Sequence, residues 1–535
     1  MNRLPKTLIA GLVWALAAST SAAPSNPGAP AAGGIAWHTA ASEAEVDAAF
    51  AAARSAGKPV FMYWGAAWCP PCNQVKATLF NRQDFIERSK AFEAVYVDGD
   101  QPGAQKVGAR FHVSGYPTLV LFAPGGQEIT RLPGEVEPGR YAAVMTLALG
   151  AARPVKQIVA EARSSPSRLG SNDWRLLSFY SWDTDEGQVV AKSELASTLA
   201  ALASSVPASL GETALRLRLK ALAAAPAAGA SPPAARASDL AAVLELLGNR
   251  GATRVQSDVL SNEAVEIVRA LSAPTTAPRA QLLAAYGSAM RRLEEDRTLS
   301  RADRLQALMA EVDLARMDRR EAAASTGSGP ALPAALLRRV RETAARADRE
   351  IRDGYERQAV ITAAAHLLDR AGLGAESDSL LVANLPRSHS PYYLMSQLAG
   401  NAKRRGDAPA ALRWYARAYE SSEGPATRLQ WASSYVAALV ELAPADEAAI
   451  EQATIRMLED ARGQPDAFYE RSGRSLQRVA GQLRNWSEGG KHAAAMARLQ
   501  PRFDALCAAA ARSTGEQATC RNLVGSQAPV GGRGA

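Results

Sequence analysis

The sequence predicts an α/β domain with a central sheet, followed by a large all-helical, solenoid-like region. Between residues 35 and 150, continuous apolar runs such as KPVFMYWG alternate with segments of helical periodicity. That alternation is typical of strands and helices packed in layers. From residue 151 onwards only helical patterns occur, and alanine, the strongest helix former, is abundant. A chain of 535 residues is long enough for several such units.

The predicted α/β domain begins with a short strand, GIAWHT, and a helix whose two ends are both marked. Ser42 is a good N-cap, Glu45 stands three residues later, and Gly57 follows the last turn. Two buried strands, KPVFMYWG and FEAVYVDGD, come next, and the helix between them opens at a pair of cysteines. Two further strands flank a Gly-Gly turn, and a helix that starts at Pro138 completes the domain.

The first residues predict export from the cytoplasm. Arg3 and Lys6 precede a short apolar run, and small residues follow it. This pattern is typical of a bacterial signal peptide cleaved after Ala22 or Ala23; an uncleaved anchor is the alternative. We therefore expect a periplasmic protein with no membrane attachment after cleavage, in a compartment where thiols tend to be oxidised.

The helical region contains a degenerate internal repeat. Gly372 and Gly406 lie 34 residues apart, and each stands between two helical patterns. Small residues, Ala411 and Ala418, follow the second glycine at positions where two helices would cross closely. This arrangement resembles the tetratricopeptide repeat. The resemblance implies a helical solenoid that recruits protein partners; an irregular helical bundle is the alternative.

Stretches rich in proline, alanine, glycine and serine divide the chain into predicted segments. They are a signal peptide (1–23), a flexible leader (24–34), the α/β domain (35–150), a helical segment (151–224), a linker (225–238), a second helical segment (239–324), a loop (325–333), the tetratricopeptide-like region (334–523) and a disordered tail (524–535).

The chemistry is expected at the cysteine pair Cys69 and Cys72, which are separated by two prolines. A Cys-x-x-Cys pair at the start of a helix has a spacing that suits a disulfide. Cys69 would be the N-cap, where free N–H groups and the helix dipole stabilise a thiolate, so we predict that it is the nucleophile. Cys72, one turn further, would resolve the mixed disulfide. Pro70 and Pro71 lack N–H groups, so they offer Cys69 fewer donors.

WCPPC after an apolar strand, with GYPT some forty residues later, resembles the thioredoxin superfamily. The resemblance covers residues 35–150. It implies that Trp68 precedes the motif as in the family, that Pro117 is the cis-proline facing the disulfide, and that the backbone at Tyr116 pairs with an extended substrate segment. These three are therefore the predicted substrate-binding residues. It implies no cofactor beyond the redox-active disulfide.

The sequence departs from thioredoxin itself at three places. Met62 or Tyr63 stands where the family has a buried aspartate, Ala94 where it has a lysine, and Ala77 where a proline kinks the active-site helix. The sequence therefore leaves open which group deprotonates Cys72.

Other roles for the pair were weighed against catalysis. A zinc site needs four ligands, and the five histidines are scattered; haem attachment needs a histidine at the position of Asn73. A purely structural bridge would close too small a loop to add much stability, and copper binding by the reduced pair is a further alternative. We predict no metal site. The net charge of +8 is spread along the chain, so nucleic acid is not an expected partner.

The remaining cysteines, Cys507 and Cys520, are predicted to form a structural disulfide near the end of the last helix. An exchange of that bridge with Cys69 is the alternative.

Together these features predict an exported thiol–disulfide oxidoreductase that acts on protein cysteines and exchanges electrons with an unidentified redox partner. The alternative is an interaction protein, in which the helical scaffold carries the biology and the thioredoxin-like domain is a docking module.

Overall fold

A computed structural model describes residues 34–134, 137–151, 153–225, 233–326, 332–510 and 514–524. The predicted signal peptide, nearly all of the predicted leader and the tail beyond residue 524 lie outside these ranges.

The N-terminal domain is built on one five-stranded sheet with the order β1-β3-β2-β4-β5. The strands are β1 (Trp37–Ala40), β2 (Val60–Gly65), β3 (Glu93–Asp98), β4 (Thr118–Phe122) and β5 (Glu128–Leu132). β1, β3 and β2 are parallel, whereas β4 and β5 run antiparallel to their neighbours. β2 is therefore the central strand, and its carboxyl end leads directly into the cysteine motif.

Five helices surround the sheet: α1 (Glu43–Ala56), α2 (Pro70–Val75), α3 (Gln83–Ser89), α4 (Ala104–Arg110) and α5 (Pro138–Leu149). The predicted ends of the first helix are observed. Ser42 and Glu45 form a capping box at its start, and Gly57 ends it in the left-handed conformation, with φ of 66°.

The two faces of β2 belong to two different cores, because successive side chains of a strand point to opposite faces. Met62 and Trp64 pack under α1 and α4. Phe61 and Tyr63 belong to a second cluster that continues through α5 into the helices that follow the domain, and it includes Trp174. The sheet is therefore covered on one side partly by residues from beyond position 150.

Twenty further helices follow in the described residues. They are α6 (Val155–Ser164), α7 (Ser171–Phe179), α8 (Leu195–Ser205), α9 (Gly211–Ala224), α10 (Pro233–Gly248), α11 (Arg250–Val255), α12 (Ser257–Asn262), α13 (Ala264–Leu271), α14 (Ala277–Glu295), α15 (Arg301–Thr326), α16 (Ala334–Glu350), α17 (Gly354–Arg370), α18 (Gly374–Asn384), α19 (Pro391–Arg404), α20 (Ala408–Ser421), α21 (Pro425–Leu442), α22 (Glu447–Ala461), α23 (Glu470–Trp486), α24 (Ala493–Ala510) and α25 (Thr514–Val524).

Two of the predicted boundaries differ from the helices observed. α10 begins at Pro233, so the last six residues of the predicted linker 225–238 are helical; a proline fits the first turn of a helix, where its missing N–H costs nothing. α15 extends to Thr326, so the first two residues of the predicted loop 325–333 are also helical. Half of the linker (226–232) and more than half of the loop (327–331) lie outside the described residues.

The two glycines of the internal repeat lie in turns between packed helices, as the sequence predicts. Gly372 joins α17 to α18 with φ of 84°, and Gly406 joins α19 to α20 with φ of 79°. Ala411 and Ala418 are fully buried. The region is thus formed from consecutive helix pairs, and its relation to tetratricopeptide repeats stays a prediction.

Candidate active site

Cys69 and Cys72 are joined by a disulfide at the carboxyl edge of the sheet. Cys69 is the N-cap of α2, and its Sγ accepts a hydrogen bond from the Cys72 backbone N–H at 3.2 Å. The two Cα atoms are 5.2 Å apart, within the usual range for a disulfide. Helix N-termini favour negative charge on a capping sulfur. The local geometry therefore provides what a nucleophilic thiolate at Cys69 needs.

Asn73 holds the loop that carries the motif. Its Nδ2 donates to the carbonyl oxygens of Ala67 at 2.7 Å and Cys69 at 2.8 Å, and the side chain is fully buried. One side chain thus bonds to the two carbonyls on either side of Trp68. Sequence reasoning used this residue only to exclude haem attachment, because the sequence does not show which carbonyl groups its amide meets.

The helix continues beyond α2 as a π-helical turn over Lys76–Phe80. A π-turn changes the direction of a helix by adding one residue, and it lies where the family has its proline kink. Lys76 begins this turn, and its backbone N–H donates to the carbonyl of Cys72. The side chain of Lys76 is only 2% exposed.

Lys76 and Asp98 are two of the buried charged groups beside the motif. Burial lowers the pKa of Lys76 to about 8, and the charge of Asp98 opposes that shift. Burial raises the pKa of Asp98, and repulsion by the Asp100 carboxylate adds to the rise. Both groups are thus shifted towards neutrality, as desolvation dictates. They differ from the two positions, at β2 and Ala94, where the family places its buried pair, and Lys76 is detectable in the sequence as one helical turn after Cys72.

Trp68, predicted to contact substrate, lies against the helical region instead of open solvent. Its ring is stacked on Tyr393 with centroids 5.8 Å apart and meets Trp431 edge-on at 5.2 Å. Its Nε1 donates to the carboxylate of Asp100 at 3.0 Å. Gln358, in α17, donates to the backbone carbonyl of Trp68 at 3.4 Å. Four contacts therefore fix the residue that precedes the nucleophile.

Tyr116 and Pro117 lie on the other side of the motif, and their peptide bond is cis. Thr118, the next residue, pairs with Trp64 at the end of β2, so the loop lies at the same sheet edge as the cysteines. The Tyr116 hydroxyl accepts a hydrogen bond from the side chain of Gln105 at 2.8 Å. Its ring is beneath the guanidinium of Arg471, 5.0 Å from the ring centroid.

The helical region closes over this site. α17 packs against α2, and the exposed fractions of Cys69 and Cys72 are 2% and 0%. Further contacts tie α23 and the loop before it to the domain: the Asp466 carboxylate accepts from the Gln105 N–H at 2.8 Å, and Arg474 donates to the Ser114 carbonyl at 2.7 Å. The predicted catalytic and substrate-binding residues thus meet in one place, and that place is covered by the chain's own helices.

A cavity of about 210 Å³ remains beside the motif, between the two prolines and the helices α12, α15 and α17. Pro71 is exposed on this side, whereas Asp303 faces the cavity from the helical region. Burial raises the pKa of Asp303 to about 6. The cavity thus borders the two prolines of the motif, and neither cysteine lines it.

Cys507 and Cys520 form the second disulfide, which joins α24 to α25. It lies in a different hydrophobic cluster from Cys69 and Cys72. Among the described residues, no group of three or more histidine, cysteine, aspartate or glutamate side chains is placed to hold a metal ion.

A sheet of this order, a Cys-x-x-Cys disulfide at a helix N-terminus and a proline loop at the same sheet edge define a thioredoxin-like domain. Residues 46–149 match the protein family described as a thioredoxin-like domain. The chain therefore contains such a domain, followed by a largely helical region.

Curated relatives are similar to this chain over a limited stretch. Thiol:disulfide interchange protein DsbD 1 of Pseudomonas aeruginosa is 32% identical over 118 residues, which are 21% of this chain and 19% of that protein. Probable nucleoredoxin 1 of Arabidopsis thaliana is 29% identical over 97 residues, 14% of this chain and 17% of that protein. The chain thus spans less than a fifth of the length of these relatives.

Among solved structures, oxidised thioredoxin O2 from Arabidopsis thaliana is 29% identical to this chain. The match covers 21% of this chain and 94% of that one, with a TM-score of 0.18.

Proposed function

We propose that the protein is an exported thiol–disulfide oxidoreductase that acts on the cysteines of other proteins. The observation that carries the proposal is the position of Cys69 at the N-terminus of α2, in a disulfide with Cys72 and hydrogen-bonded to its N–H. A relative named for thiol:disulfide interchange supports the same activity. The predicted signal peptide supports export to the periplasm; in the described part of the chain, no helix is long and apolar enough to cross a membrane.

The exchange proceeds through one mixed disulfide. In the reduced protein, the Cys69 thiolate attacks a disulfide of the target, forms a Cys69–target bond and releases the target's other sulfur as a thiolate. The Cys72 thiol loses its proton and attacks the Cys69 sulfur, which breaks the mixed disulfide and releases the second target thiolate. The target gains two electrons, and Cys69–Cys72 is oxidised. A dithiol partner protein restores the reduced form, and the reverse sequence oxidises a target.

The helical region has two roles in this proposal. It recruits the protein substrate or redox partner, and it covers the disulfide between encounters. A folded target reaches the Cys69 sulfur only after the contacts of Trp68 with Tyr393 and Gln358 have opened, because those contacts occupy the surface beside the nucleophile. The burial of Cys69 also favours the second candidate function, a helical scaffold in which the domain serves for docking.

Insulin reduction in the presence of dithiothreitol tests the proposal, with Cys69→Ser as the inactive control. Because the helical region over the disulfide lowers the rate of insulin reduction in this proposal, the assay includes Arg471→Ala, which removes a contact between that region and the thioredoxin-like domain. Activity in the wild type or in Arg471→Ala that disappears with Cys69→Ser supports catalysis. Cys72→Ala should in addition accumulate mixed disulfides on Cys69, whose partners mass spectrometry identifies. Equal, negligible activity in all forms would favour the scaffold.

A further inference from the structure

A second cavity, of about 350 Å³, lies wholly within the helical region. Its walls come from α14, α15, α16 and α17, and no residue of the thioredoxin-like domain lines it. Leu305, Ala347 and Val360 give it an apolar floor, and Thr343 adds a hydroxyl group. Cavities of this size accommodate small molecules and are too small for a folded partner.

Charged side chains surround this floor, and arginine dominates. The lining arginines are Arg297, Arg301, Arg304, Arg339 and Arg346, and the lining glutamates are Glu294, Glu295 and Glu350.

Two of the arginines are neutralised by nearby carboxylates. Arg339 pairs with Glu294 and with Glu311, the latter at 2.6 Å. Arg301 pairs with Glu356 at 2.9 Å. Ion pairs therefore account for their positions without a ligand.

The other three arginines, Arg297, Arg304 and Arg346, have no such explanation. Their side chains form no hydrogen bond or ion pair with any residue that the structure describes, and Nε of Arg304 is buried without an acceptor. Burial lowers the pKa of Arg304, repulsion by Arg346, Arg301 and Arg297 lowers it further, and attraction by Glu350 offsets only part of the shift. A buried donor without an acceptor and a concentration of like charge both cost free energy. Arg297 and Arg346 are exposed, at the rim of the cavity.

We propose that this cavity binds a small molecule that carries a phosphate or carboxylate group. The oxyanion lies between Arg304, Arg346 and Arg297, because guanidinium groups bind oxyanions through paired N–H donors and no carboxylate is hydrogen-bonded to these three in the described residues. The apolar part of the ligand rests on Leu305 and Val360. The site is separate from the disulfide, and the proposal does not depend on the proposed redox activity.

Isothermal titration calorimetry on the full chain tests the site, with inorganic phosphate and citrate as separate probes. Sodium chloride at matched ionic strength controls for screening of surface charge. The variants are Arg304→Gln and Arg346→Gln. Arg349→Gln is the matched control. Arg349 is an exposed arginine of α16, the helix that carries Arg346, and it does not line the cavity.

We expect saturable binding of at least one probe, and its identity names the preferred oxyanion. Each of the two cavity variants should weaken that affinity about tenfold, the loss typical of one charge-assisted hydrogen bond, and Arg349→Gln should change it less than about twofold. In the absence of ligand, Arg304→Gln should leave the Tm unchanged or raise it, since it relieves repulsion. No binding beyond the chloride control, or equal affinity in all variants, would overturn the proposal.

Discussion

Arg471 and Asp100 form an ion pair across the boundary between the helical region and the thioredoxin-like domain. Their side chains are only 12% and 11% exposed. Burial lowers the pKa of Arg471, but attraction by Asp100, Tyr116 and Asp98 and the hydrogen bond to Asp100 together outweigh burial, so the pKa is raised. The same guanidinium lies 5.1 Å from the ring centroid of Trp68. Arg471 therefore connects the helical region that covers the disulfide to Trp68, the residue before Cys69.

Arg471→Ala should loosen this cover. Removing one partner of a buried ion pair typically costs about 3–5 kcal/mol, because the other charge stays buried. We expect the disulfide of the variant to be reduced by dithiothreitol about tenfold faster or more, measured by quenched thiol labelling and mass spectrometry. Arg478→Ala, an exposed position on the same helix, should react at the wild-type rate. Equal rates in all three proteins would show that the ion pair does not limit access.

Lys76→Met should change how stability depends on pH. The pKa of Lys76 is about 8 in the folded protein and 10.5 in its ordinary state. Between these values the unfolded chain binds a proton that the folded chain lacks, so Lys76 makes the free energy of unfolding rise with pH. The rise amounts to roughly 3 kcal/mol across the window and should be absent from the variant in urea unfolding at pH 7.5 to 10.5.

The control for that experiment is Lys90→Met, since Lys90 lies on the surface of the same domain. Its stability curve should run parallel to that of the wild type. If the Lys76→Met curve were parallel as well, the lysine would titrate normally and its burial would have no electrostatic consequence.

Asn73→Asp should destabilise the domain more than its nearly identical shape suggests. A carboxylate cannot donate to the carbonyls of Ala67 and Cys69, and it places a negative charge against two acceptors. The Cys69 carbonyl keeps the backbone N–H of residue 73 as a donor, at 3.0 Å, whereas the Ala67 carbonyl loses the side-chain donor. A carbonyl left without its donor costs about 1–3 kcal/mol when buried, so thermal unfolding should occur at a clearly lower Tm. The Tm of Asn73→Ala should lie between those of the wild type and Asn73→Asp. An unchanged Tm for Asn73→Asp would mean that water replaces the amide without cost.

Loss of the Cys507–Cys520 disulfide should affect stability and leave redox chemistry intact. The two cysteines are 13 positions apart, and cross-linking a loop of that length stabilises by roughly 3 kcal/mol in the chain-entropy account. Cys507→Ser with Cys520→Ser should therefore lower the Tm while dithiothreitol reduces Cys69–Cys72 at the wild-type rate. A mixed disulfide between Cys69 and either distal cysteine in the oxidised wild type would instead indicate a relay.

The N-terminal domain was predictable because its signals are local. Ser42 and Gly57 mark a helix by residue type, and Cys69 and Cys72 identify a helix start by spacing. The cover over Trp68 was not predictable, because Gln358 and Arg471 are hundreds of residues away in the sequence and no periodicity specifies which helices dock together. Lys76 and Asp98 do not occupy the positions where the thioredoxin superfamily has its buried pair, so the resemblance does not point to them, although Lys76 lies one helical turn after the second cysteine.

The hydrophobic cluster that contains Phe61 and Tyr63 does not end at residue 150, because it also contains Ile158, Trp174 and Leu217 from the helices that follow. A fragment cut at residue 150 would expose the apolar surface that those side chains cover. The thioredoxin-like domain is therefore not structurally independent of the helices that follow it. It should melt together with its first helical neighbours in one cooperative step, and a shortened version made for laboratory use should keep residues up to the end of α9.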